Sequence, residues 1–391
     1  MQSKCLPILW HSSDSLVVAA PTGSGKTVLL ELAICRAVED YGSEALAVYI
    51  APTRCLVQQK VSEWRERFAA LRLKVTEVTG DLNEVCDAGN GDMSTNLICT
   101  TPEKWDTELR LGAGYTWLSS RKVSVYLIDE VHMVGEPDRG PILEAVLTRT
   151  IVRCMPQSLL PRFVAISATI ANPNDIGQWL GRNTPWHGYS FGERARTIPI
   201  EASVKGVYCP PDRSPFHFDA NLNYKLPSLL REVLPANKSA IIFVSSRAAT
   251  VICARCLVNK QSWARSSSRE ELRRVARFCK DKKLSDYLEH GVGFHNAGLS
   301  SEDRSLVEKT FNQGDLRVLV CTSTLAMGVN LPAYLVVVRG TTMITGGICG
   351  QYSAARIHQM IGRAGRPGLE GSGKAIIMTT SNHVALSPEL L

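Results

Sequence analysis

Short runs of aliphatic and β-branched residues recur along the chain, and each ends in Gly, Thr, Ser or Asp before a longer stretch of helical periodicity. This alternation of strand and helix patterns is typical of a parallel β-sheet covered by helices. The runs lie at 15–27, 45–54, 96–104, 123–132, 162–169, 240–247, 291–298, 317–324, 334–340 and 374–380. The sequence therefore predicts an α/β protein of two lobes in tandem, with polar residues at the carboxyl ends of the strands, where open α/β sheets bind ligands.

The alternation lapses between the two series of runs. Residues 183–199 and 209–216 are rich in Pro, Gly and aromatic residues, which is typical of a connecting segment. We therefore predict a first domain over residues 1–190, a linker and the start of the second lobe over 191–236, and a second domain over 237–391.

The composition suits a globular protein that works inside the cell. Hydrophobic residues make up 45% of the 391 positions, enough to fill the cores of two domains. No apolar run reaches the roughly 18 to 20 residues that span a bilayer, and no signal peptide is evident, so we expect no membrane partner. The twelve cysteines are scattered singly, and the CxxC pair of Cys253 and Cys256 has no second pair at zinc spacing.

Positive charge is concentrated in one segment. The formal net charge is +7, and residues 260–283 contain nine Lys and Arg against three acidic residues. Such a segment forms either a solvated helix face or a surface that contacts the backbone of a nucleic acid. The sequence leaves both interpretations open.

A glycine-rich loop directly follows the first apolar run and precedes a helical pattern. This is the setting of a phosphate-binding loop, in which backbone N–H groups and a helix N-terminus surround the phosphates of a nucleotide. Lys26 would reach the β- and γ-phosphates, and Thr27 would place its hydroxyl on Mg²⁺. The predicted nucleotide-binding residues of this loop are Ala20, Pro21, Thr22, Gly23, Ser24, Gly25, Lys26 and Thr27. Ala20 stands where the general pattern has its first glycine.

Two carboxylates in succession end another apolar run, in the segment LIDEVH at 127–132. Beside a phosphate loop on the same sheet edge, Asp129 would hold Mg²⁺ through its water shell. Glu130 would act as the general base that activates the attacking water. The pair thus predicts hydrolysis of the nucleotide as well as its binding.

Two arginines lie three residues apart in the segment QMIGRAGRPG at 359–368. If this segment is helical, Arg363 and Arg366 share a face and could reach one anion. A positioned arginine can accelerate phosphoryl transfer by about 10³ to 10⁵ fold. Because both lie in the other lobe from Lys26, we expect the active site to be complete only when the lobes close. Binding a phosphate of a nucleic acid is the alternative.

These motifs together resemble the superfamily 2 DExH-box helicases, in the right order over essentially the whole chain. The resemblance rests on the segments above and on APTRCLVQQ, VTGD, TTPEKWD, SAT, IIFVSSR, FHNAGLSSEDR and VLVCTSTLAMGVNLPA. It implies two tandem RecA-like domains with the ATP site in the cleft between them. It also implies that Gln2 reads adenine, that Gly328 and Asn330 bind the nucleotide, and that Gln359 joins the two arginines in catalysis.

Small or hydrogen-bonding residues at the strand ends are similar to the strand-binding motifs of that family. They are Thr53, Arg54, Gly80, Thr101, Pro102, Ser246, Arg247, Gly298, Thr322 and Thr324. Hydroxyls and backbone amides can hold phosphates without reading bases, so affinity should depend little on sequence and should fall with salt.

The segments TPEKWD, DRGPILEAV and TSTLAMGVNLPA resemble those of the branch that contains the antiviral-type and spliceosomal RNA helicases and several DNA-repair helicases. Within it, FHFDANLNYKL and LSDYLEHGVGFHNAG resemble most the meiotic crossover DNA helicases. The resemblance implies a nuclear protein that translocates 3′ to 5′ on DNA, acts on recombination intermediates with proteins of that assembly, and works as a monomeric motor. It also implies that the chain is a motor core lacking the winged-helix and ratchet domains. Residues 339–353 stand where this branch carries a β-hairpin that wedges duplex ends; an ordinary exposed loop is the alternative. An RNA helicase of the same branch and a non-catalytic nucleotide-binding scaffold remain rival hypotheses.

Overall fold

The computed structural model describes residues 1–80, 95–111, 122–136, 139–154, 161–168, 170, 172–182, 184–208, 215–323, 325–326, 331–345, 348–366 and 368–381. The chain divides into two units, Met1–Thr197 and Ile198–Leu391. None of the helices in the described ranges combines the length and the apolar character that a bilayer crossing requires.

The first unit is built on a parallel sheet of seven described strands in the order β3-β4-β2-β5-β6-β1-β7. The strands are β1 (Ser15–Ala19), β2 (Ala47–Ile50), β3 (Lys74–Val78), β4 (Thr95–Thr100), β5 (Val125–Ile128), β6 (Arg162–Ser167) and β7 (Trp186–Ser190). The helices are α1 (Gln2–His11), α2 (Lys26–Tyr41), α3 (Arg54–Arg67), α4 (Pro102–Leu111), α5 (Gly140–Cys154) and α6 (Pro173–Gly181).

Both faces of this sheet are buried, because successive side chains of a strand point to opposite faces. Leu16 and Val18 of β1 belong to a core with residues of α1, α2 and α3. Val17, between them, belongs to a second core with residues of α4 and α5. Burial on both faces explains why these strands read as continuous apolar runs rather than as alternating ones.

The second unit repeats the arrangement, with six described parallel strands in the order β10-β11-β9-β12-β15-β8. They are β8 (Ile200–Val207), β9 (Ala240–Val244), β10 (Val292–His295), β11 (Val318–Thr322), β12 (Leu335–Arg339) and β15 (Gly373–Thr380). The helices are α7 (Pro215–Val233), α8 (Arg247–Lys260), α9 (Arg269–Arg277), α10 (Lys282–Leu288), α11 (Ser301–Asn312) and α12 (Ala354–Ile361). The prediction of two α/β lobes with parallel sheets is confirmed.

A separate antiparallel pair interrupts the second unit. β13 (Thr342–Thr345) pairs with β14 (Ile348–Gln351), and Thr342 lies opposite Gln351. The β-hairpin predicted within residues 339–353 is therefore present, although its turn residues, 346–347, lie outside the described residues.

Candidate functional site

The phosphate-loop segment follows β1 and leads into α2, as predicted. Gly23 (φ +78°) and Gly25 (φ +83°) both adopt left-handed backbone conformations, which glycine tolerates without strain. A Cβ on Gly25 would lie 2.3 Å from Nε2 of Gln2, so a side chain there would displace the Gln2 amide from the loop. The two glycines thus fit the conformation of this loop on backbone grounds alone.

Lys26 is folded back onto its own loop. Its ammonium donates to the carbonyl oxygens of Ala20 at 2.7 Å and of Pro21 at 3.0 Å. Because these carbonyls are weaker partners than a phosphate, an incoming nucleotide can take over the ammonium. The amide of Gln2 donates to the Ser24 carbonyl at 3.1 Å, which places α1 directly against the loop.

A buried arginine holds the other end of α1. The guanidinium of Arg162, at the start of β6, donates to the carbonyl oxygens of Ile8, Leu9 and Asp14 at 2.9 to 3.1 Å. Two of these carbonyls, those of Ile8 and Leu9, belong to the last turn of α1, where carbonyls have no partner within the helix. Burial lowers the pKa of Arg162. Anchored at both ends, α1 presents Gln2 to the loop.

The two carboxylates lie at the end of β5, on the same sheet edge as the loop after β1, since β5, β6 and β1 are consecutive strands in the sheet. The Asp129 Oδ1 accepts the Glu130 N–H at 2.9 Å, and its Oδ2 accepts the Tyr49 hydroxyl at 2.8 Å. Burial and the neighbouring negative charge of Glu130 raise the pKa of Asp129 to about 6. The positive charge of Lys26 and the hydrogen bond from Tyr49 partly offset this rise in the pKa of Asp129.

Glu130 has a left-handed backbone conformation (φ +53°, ψ +47°), an uncommon one for a residue with a side chain. Its Oε2 lies 3.2 Å from Nδ1 of His132, and the same nitrogen lies 2.9 Å from Oγ of Ser167. Burial opposes protonation of His132, but the hydrogen bond and the charge of Glu130 outweigh it and raise the pKa of the imidazole. His132 thereby connects the carboxylate at the end of β5 to the end of β6.

Sequence reasoning assigned no role to Tyr49 or His132. Tyr49 is fully buried in β2, and its pKa is raised well above the ordinary value by burial and by Asp129. The signal for both was present in the sequence. A hydroxyl-bearing ring stands among aliphatic residues in ALAVYI, and an imidazole follows Glu130 by two positions.

The predicted strand-contact residues also lie at the carboxyl ends of strands, but away from the phosphate loop. In the first unit they follow β2, β3 and β4, which are neighbouring strands, and in the second unit they follow β9, β10 and β11, which are also neighbours. Arg54 packs on Gly80, since a Cβ on that glycine would lie 3.0 Å from the arginine's Nη1. Gly298, likewise, lies beside the side chain of Arg247. Each sheet therefore collects these residues on one side of its carboxyl edge.

Several of these hydroxyls also begin helices. Thr53 accepts the Leu56 N–H at 3.3 Å at the start of α3, and Ser246 accepts the Ala249 N–H at 3.1 Å at the start of α8. A hydroxyl that accepts one bond can still donate another, so capping and phosphate contact are compatible. Thr101 precedes α4, Pro102 begins it, and Thr322 ends β11; all three are buried.

The arginine pair differs from its prediction. The helix α12 carries Gln359, which is buried, but it ends at Ile361, so Arg363 and Arg366 do not share a helix face. Instead they follow the helix, where Gly365 has φ +89° and the chain bridges to Ala333. A helix could not continue through that glycine's left-handed conformation, which is the physical reason the prediction was wrong.

Each arginine is held by a neighbour within the second unit. Arg363 donates to the carbonyl of Ala326. The guanidinium of Arg366 lies 3.0 Å from the buried carboxylate of Glu370, which also accepts the Arg366 N–H at 2.6 Å. Gly328 and Asn330, expected to bind the nucleotide, and Thr324, expected to contact the strand, lie outside the described residues.

The loop after β1, the paired carboxylates after β5 and the parallel sheets together define a protein of two α/β units with a candidate nucleotide-phosphate site. A family model described as DEAD/DEAH box helicase matches residues 1–176, and one described as helicase conserved C-terminal domain matches residues 225–368. The chain belongs to the DEAD/DEAH box helicases, as its motifs indicated.

Three relatives illustrate the similarity. The chain is 40% identical over 391 residues to the probable ATP-dependent DNA helicase HFM1 of Mus musculus, and 39% identical over 386 residues to the ATP-dependent DNA helicase MER3 of Saccharomyces cerevisiae. It is 36% identical over 395 residues to the activating signal cointegrator 1 complex subunit 3 of Gallus gallus. Each alignment covers 97% of this chain but only 27%, 31% and 17% of the respective relative.

Proposed function

We propose that this chain is the motor core of an ATP-dependent DNA helicase, which hydrolyses ATP to move along single-stranded DNA. The observation that carries the proposal is the convergence of Lys26, Asp129 and Glu130 on the carboxyl edge of β5, β6 and β1. The two relatives named DNA helicases support DNA as the substrate.

Glu130 is the proposed general base. Its left-handed backbone sets the direction of the side chain, and His132 holds Oε2 at 3.2 Å, so the carboxylate is oriented before any water arrives. Lys26 would leave the carbonyls of its own loop for the β- and γ-phosphates. Gln2 would hydrogen-bond the adenine beside the loop that it already contacts.

The site suits Mg²⁺ bound together with a nucleotide. Among the described residues, no three His, Cys, Asp or Glu side chains gather into a metal cage. Mg²⁺ characteristically takes one or two carboxylates plus substrate phosphates and keeps several waters, and Asp129 with Thr27 offers that donor set. When bound, the ion would neutralise charge on the phosphates, while Asp129 is kept in place by Tyr49.

Positive charge for the transition state would come from the second unit. We propose that Arg363 and Arg366 act on the γ-phosphate when the two units close, and that Gln359 helps to position the reacting groups. Arg366 is already paired with Glu370 at 3.0 Å, so it would exchange one anion for another. This exchange would couple hydrolysis to movement of the units.

The strand-contact residues would hold the backbone of the DNA. Exposed Arg54 and Arg247 offer guanidinium donors to phosphates, which carry no base sequence. Exposed Gly298, which has no side chain, would let the strand backbone approach closely. We propose 3′ to 5′ translocation, a nuclear location and action on meiotic recombination intermediates, with the β13–β14 hairpin wedging duplex ends. These points rest on the resemblance of the motifs to meiotic crossover helicases.

An RNA helicase of the same branch is the second candidate, because the strand-contact groups that the structure describes include none that distinguishes deoxyribose from ribose. A non-catalytic scaffold is the third. ATP hydrolysis, measured with oligo(dT), with oligo(U) and without nucleic acid, separates the three. We expect stimulation by oligo(dT). Stimulation by RNA alone would reject the DNA assignment, and the absence of turnover under all conditions would favour the scaffold.

A further inference from the structure

An aromatic ring projects into solvent at the end of α9. Phe278 is 75% exposed, directly after Arg277. Exposed side chains of this size are costly to leave in water, and burying one elsewhere would be favourable. Nothing in the core of the second unit requires this ring, because α9 packs through Leu272, Val275 and Ala276.

The turn that carries Phe278 is firmly held. Asp303, 2% exposed in the first turn of α11, accepts the Lys280 N–H at 2.9 Å and the Asp281 N–H at 3.1 Å. Asp281 in turn accepts the Leu284 N–H at the start of α10. Ser285 donates to the carbonyl of Ala276 at 2.8 Å, which closes the end of α9. The exposure of Phe278 is therefore built into a fixed turn.

Lysine and arginine residues flank Phe278 on both sides in the sequence. Arg269, Arg273 and Arg277 are spaced by four residues, which places them along one face of α9, about 6 Å apart per step. Lys282 and Lys283 begin α10 on the other side of the turn. All five are exposed, and within the described part of the chain none forms an ion pair.

The acidic groups nearby are mostly engaged. Glu271 pairs with Arg274 at 2.6 Å, and Glu302 pairs with Lys280 at 3.1 Å. Asp281 and Asp303 accept backbone N–H groups of the turn and of α10. Glu270 is exposed, and its one negative charge offsets only one of the positive charges on this surface. The surface around Phe278 therefore has an excess of uncompensated positive charge.

The position of the Phe278 turn in the second unit indicates which ligand its positive charge could contact. Asp303 lies just after the loop at the carboxyl end of β10, the loop that contains Gly298, and β10 is the outermost strand of its sheet. The Asp303 bonds therefore fix the Phe278 turn beside the outer end of the proposed strand-contact edge. A strand held along β9, β11 and β10 would reach this turn next.

We propose that the turn 277–283, with the arginine face of α9, is a second contact surface for single-stranded nucleic acid, in which an unpaired base stacks on Phe278 and phosphates meet Arg273 and Arg277. This inference rests on the proposed function, because it extends the strand-contact edge. Stacking on an aromatic ring tolerates any base and requires that the base be unpaired. It favours the nucleic-acid interpretation of residues 260–283 over a merely solvated helix.

The test measures binding of fluorescein-labelled oligo(dT), and of a duplex of equal length, by fluorescence anisotropy with the full chain. Phe278→Ala should weaken oligo(dT) binding about fivefold and leave duplex binding within twofold, whereas Phe278→Trp should restore it. Arg273→Glu with Arg277→Glu should weaken both ligands at about 50 mM salt. That pair should also reduce the slope of log Kd against log salt by about 1.4, since two phosphate contacts on a single strand are lost.

Matched controls lie on α7. Tyr224→Ala removes an aromatic ring that is 66% exposed, and Lys225→Glu with Arg231→Glu makes the same change of charge. Both controls should bind oligo(dT) within twofold of the unaltered chain, and all variants should keep its melting temperature. If the unaltered chain binds oligo(dT) but the Phe278 and arginine variants bind equally well, this inference is wrong while the proposed function stands. If the unaltered chain does not bind, both fail.

Discussion

Glu130 combines an unusual backbone with an engaged side chain. A non-glycine residue in the left-handed region costs about 1 to 3 kcal/mol when the surroundings hold it there, and such residues cluster at functional sites. Here β5 ends two residues before it, a short 3₁₀ helix (Val131–Gly135) begins directly after it, and Nδ1 of His132 lies 3.2 Å from its carboxylate. The strain is therefore consistent with a carboxylate set in place for chemistry rather than for stability.

Asp129 should make the metal-free chain less stable at neutral pH. Folding raises its pKa from 3.8 to about 6, so the folded state binds the proton more tightly. The stabilising contribution is therefore complete below about pH 4 and is lost as the pH rises through about 6. In EDTA and without nucleotide, Asp129→Asn should raise the melting temperature by about 3 °C or more at pH 8 and by nothing near pH 4.

Differential scanning calorimetry at the two pH values measures this difference. Asp286→Asn, an exposed carboxylate on α10, is the control and should show no gain at either pH. An equal gain for Asp129→Asn at both pH values would contradict the account.

Tyr49 should act as a positioning residue for Asp129. Phe in its place keeps the buried ring and removes only the hydroxyl that donates to Oδ2 at 2.8 Å. We expect Tyr49→Phe to lower kcat several-fold and to raise the Mg²⁺ concentration for half-maximal activity, with KM for ATP nearly unchanged. A Mg²⁺ titration of the ATPase measures this. Loss of stability with an unchanged Mg²⁺ requirement would mean that Tyr49 is only structural.

At the scale of elements, the carboxyl edge of the first sheet carries the candidate nucleotide residues on one side and the predicted strand-contact residues on the other. One arginine links two loops on the strand-contact side. Arg139, just before α5, donates to the Pro52 carbonyl at 2.5 Å, and its Nε lies 3.5 Å from Oε1 of Glu103. Pro52 precedes Thr53, and Glu103 follows Pro102, so one side chain ties two predicted contact loops together.

Arg139→Ala should therefore loosen both loops. We expect about fivefold weaker binding of oligo(dT), equivalent to the loss of roughly one net hydrogen bond, with unchanged binding of a fluorescent ATP analogue. Arg139→Lys is the matched control; it keeps the charge but not the fork of donors and should recover binding only in part. Equal losses of nucleotide and oligonucleotide binding would indicate general disruption of the unit instead.

The strands and their ends were predictable from the sequence because both faces of each sheet are buried and the runs are continuously apolar. The phosphate loop and the carboxylate pair were predictable because their spacing within one segment fixes their chemistry. Contacts between distant segments were not. The bond from Tyr49 to Asp129 joins neighbouring strands β2 and β5, and only the strand order reveals it. The end of α12 at Ile361 and the left-handed backbone of Gly365 between the two arginines were not indicated by the spacing of those arginines.

At the scale of the molecule, both units place candidate functional residues on the carboxyl edge of a parallel sheet. On that edge the first unit has the phosphate loop and the proposed base, and the second has its strand-contact residues and the Phe278 surface. The two arginines lie instead beside Ala333, which precedes β12. The predicted nucleotide and strand residues share one edge of the sheet in the first unit. We therefore propose that a shift of the phosphate loop is transmitted through the sheet to the strand-contact loops. This arrangement is what a motor that couples ATP hydrolysis to movement along a strand requires.

The most direct test of the account is ATP turnover by Glu130→Gln in the presence of oligo(dT), measured together with binding of a fluorescent ATP analogue. The amide keeps the shape of the side chain but cannot accept a proton from water. We predict a loss of about 10² fold or more in kcat with nucleotide binding retained. Turnover equal to that of the unaltered chain would contradict the assignment of Glu130 as the base and, with it, the motor function.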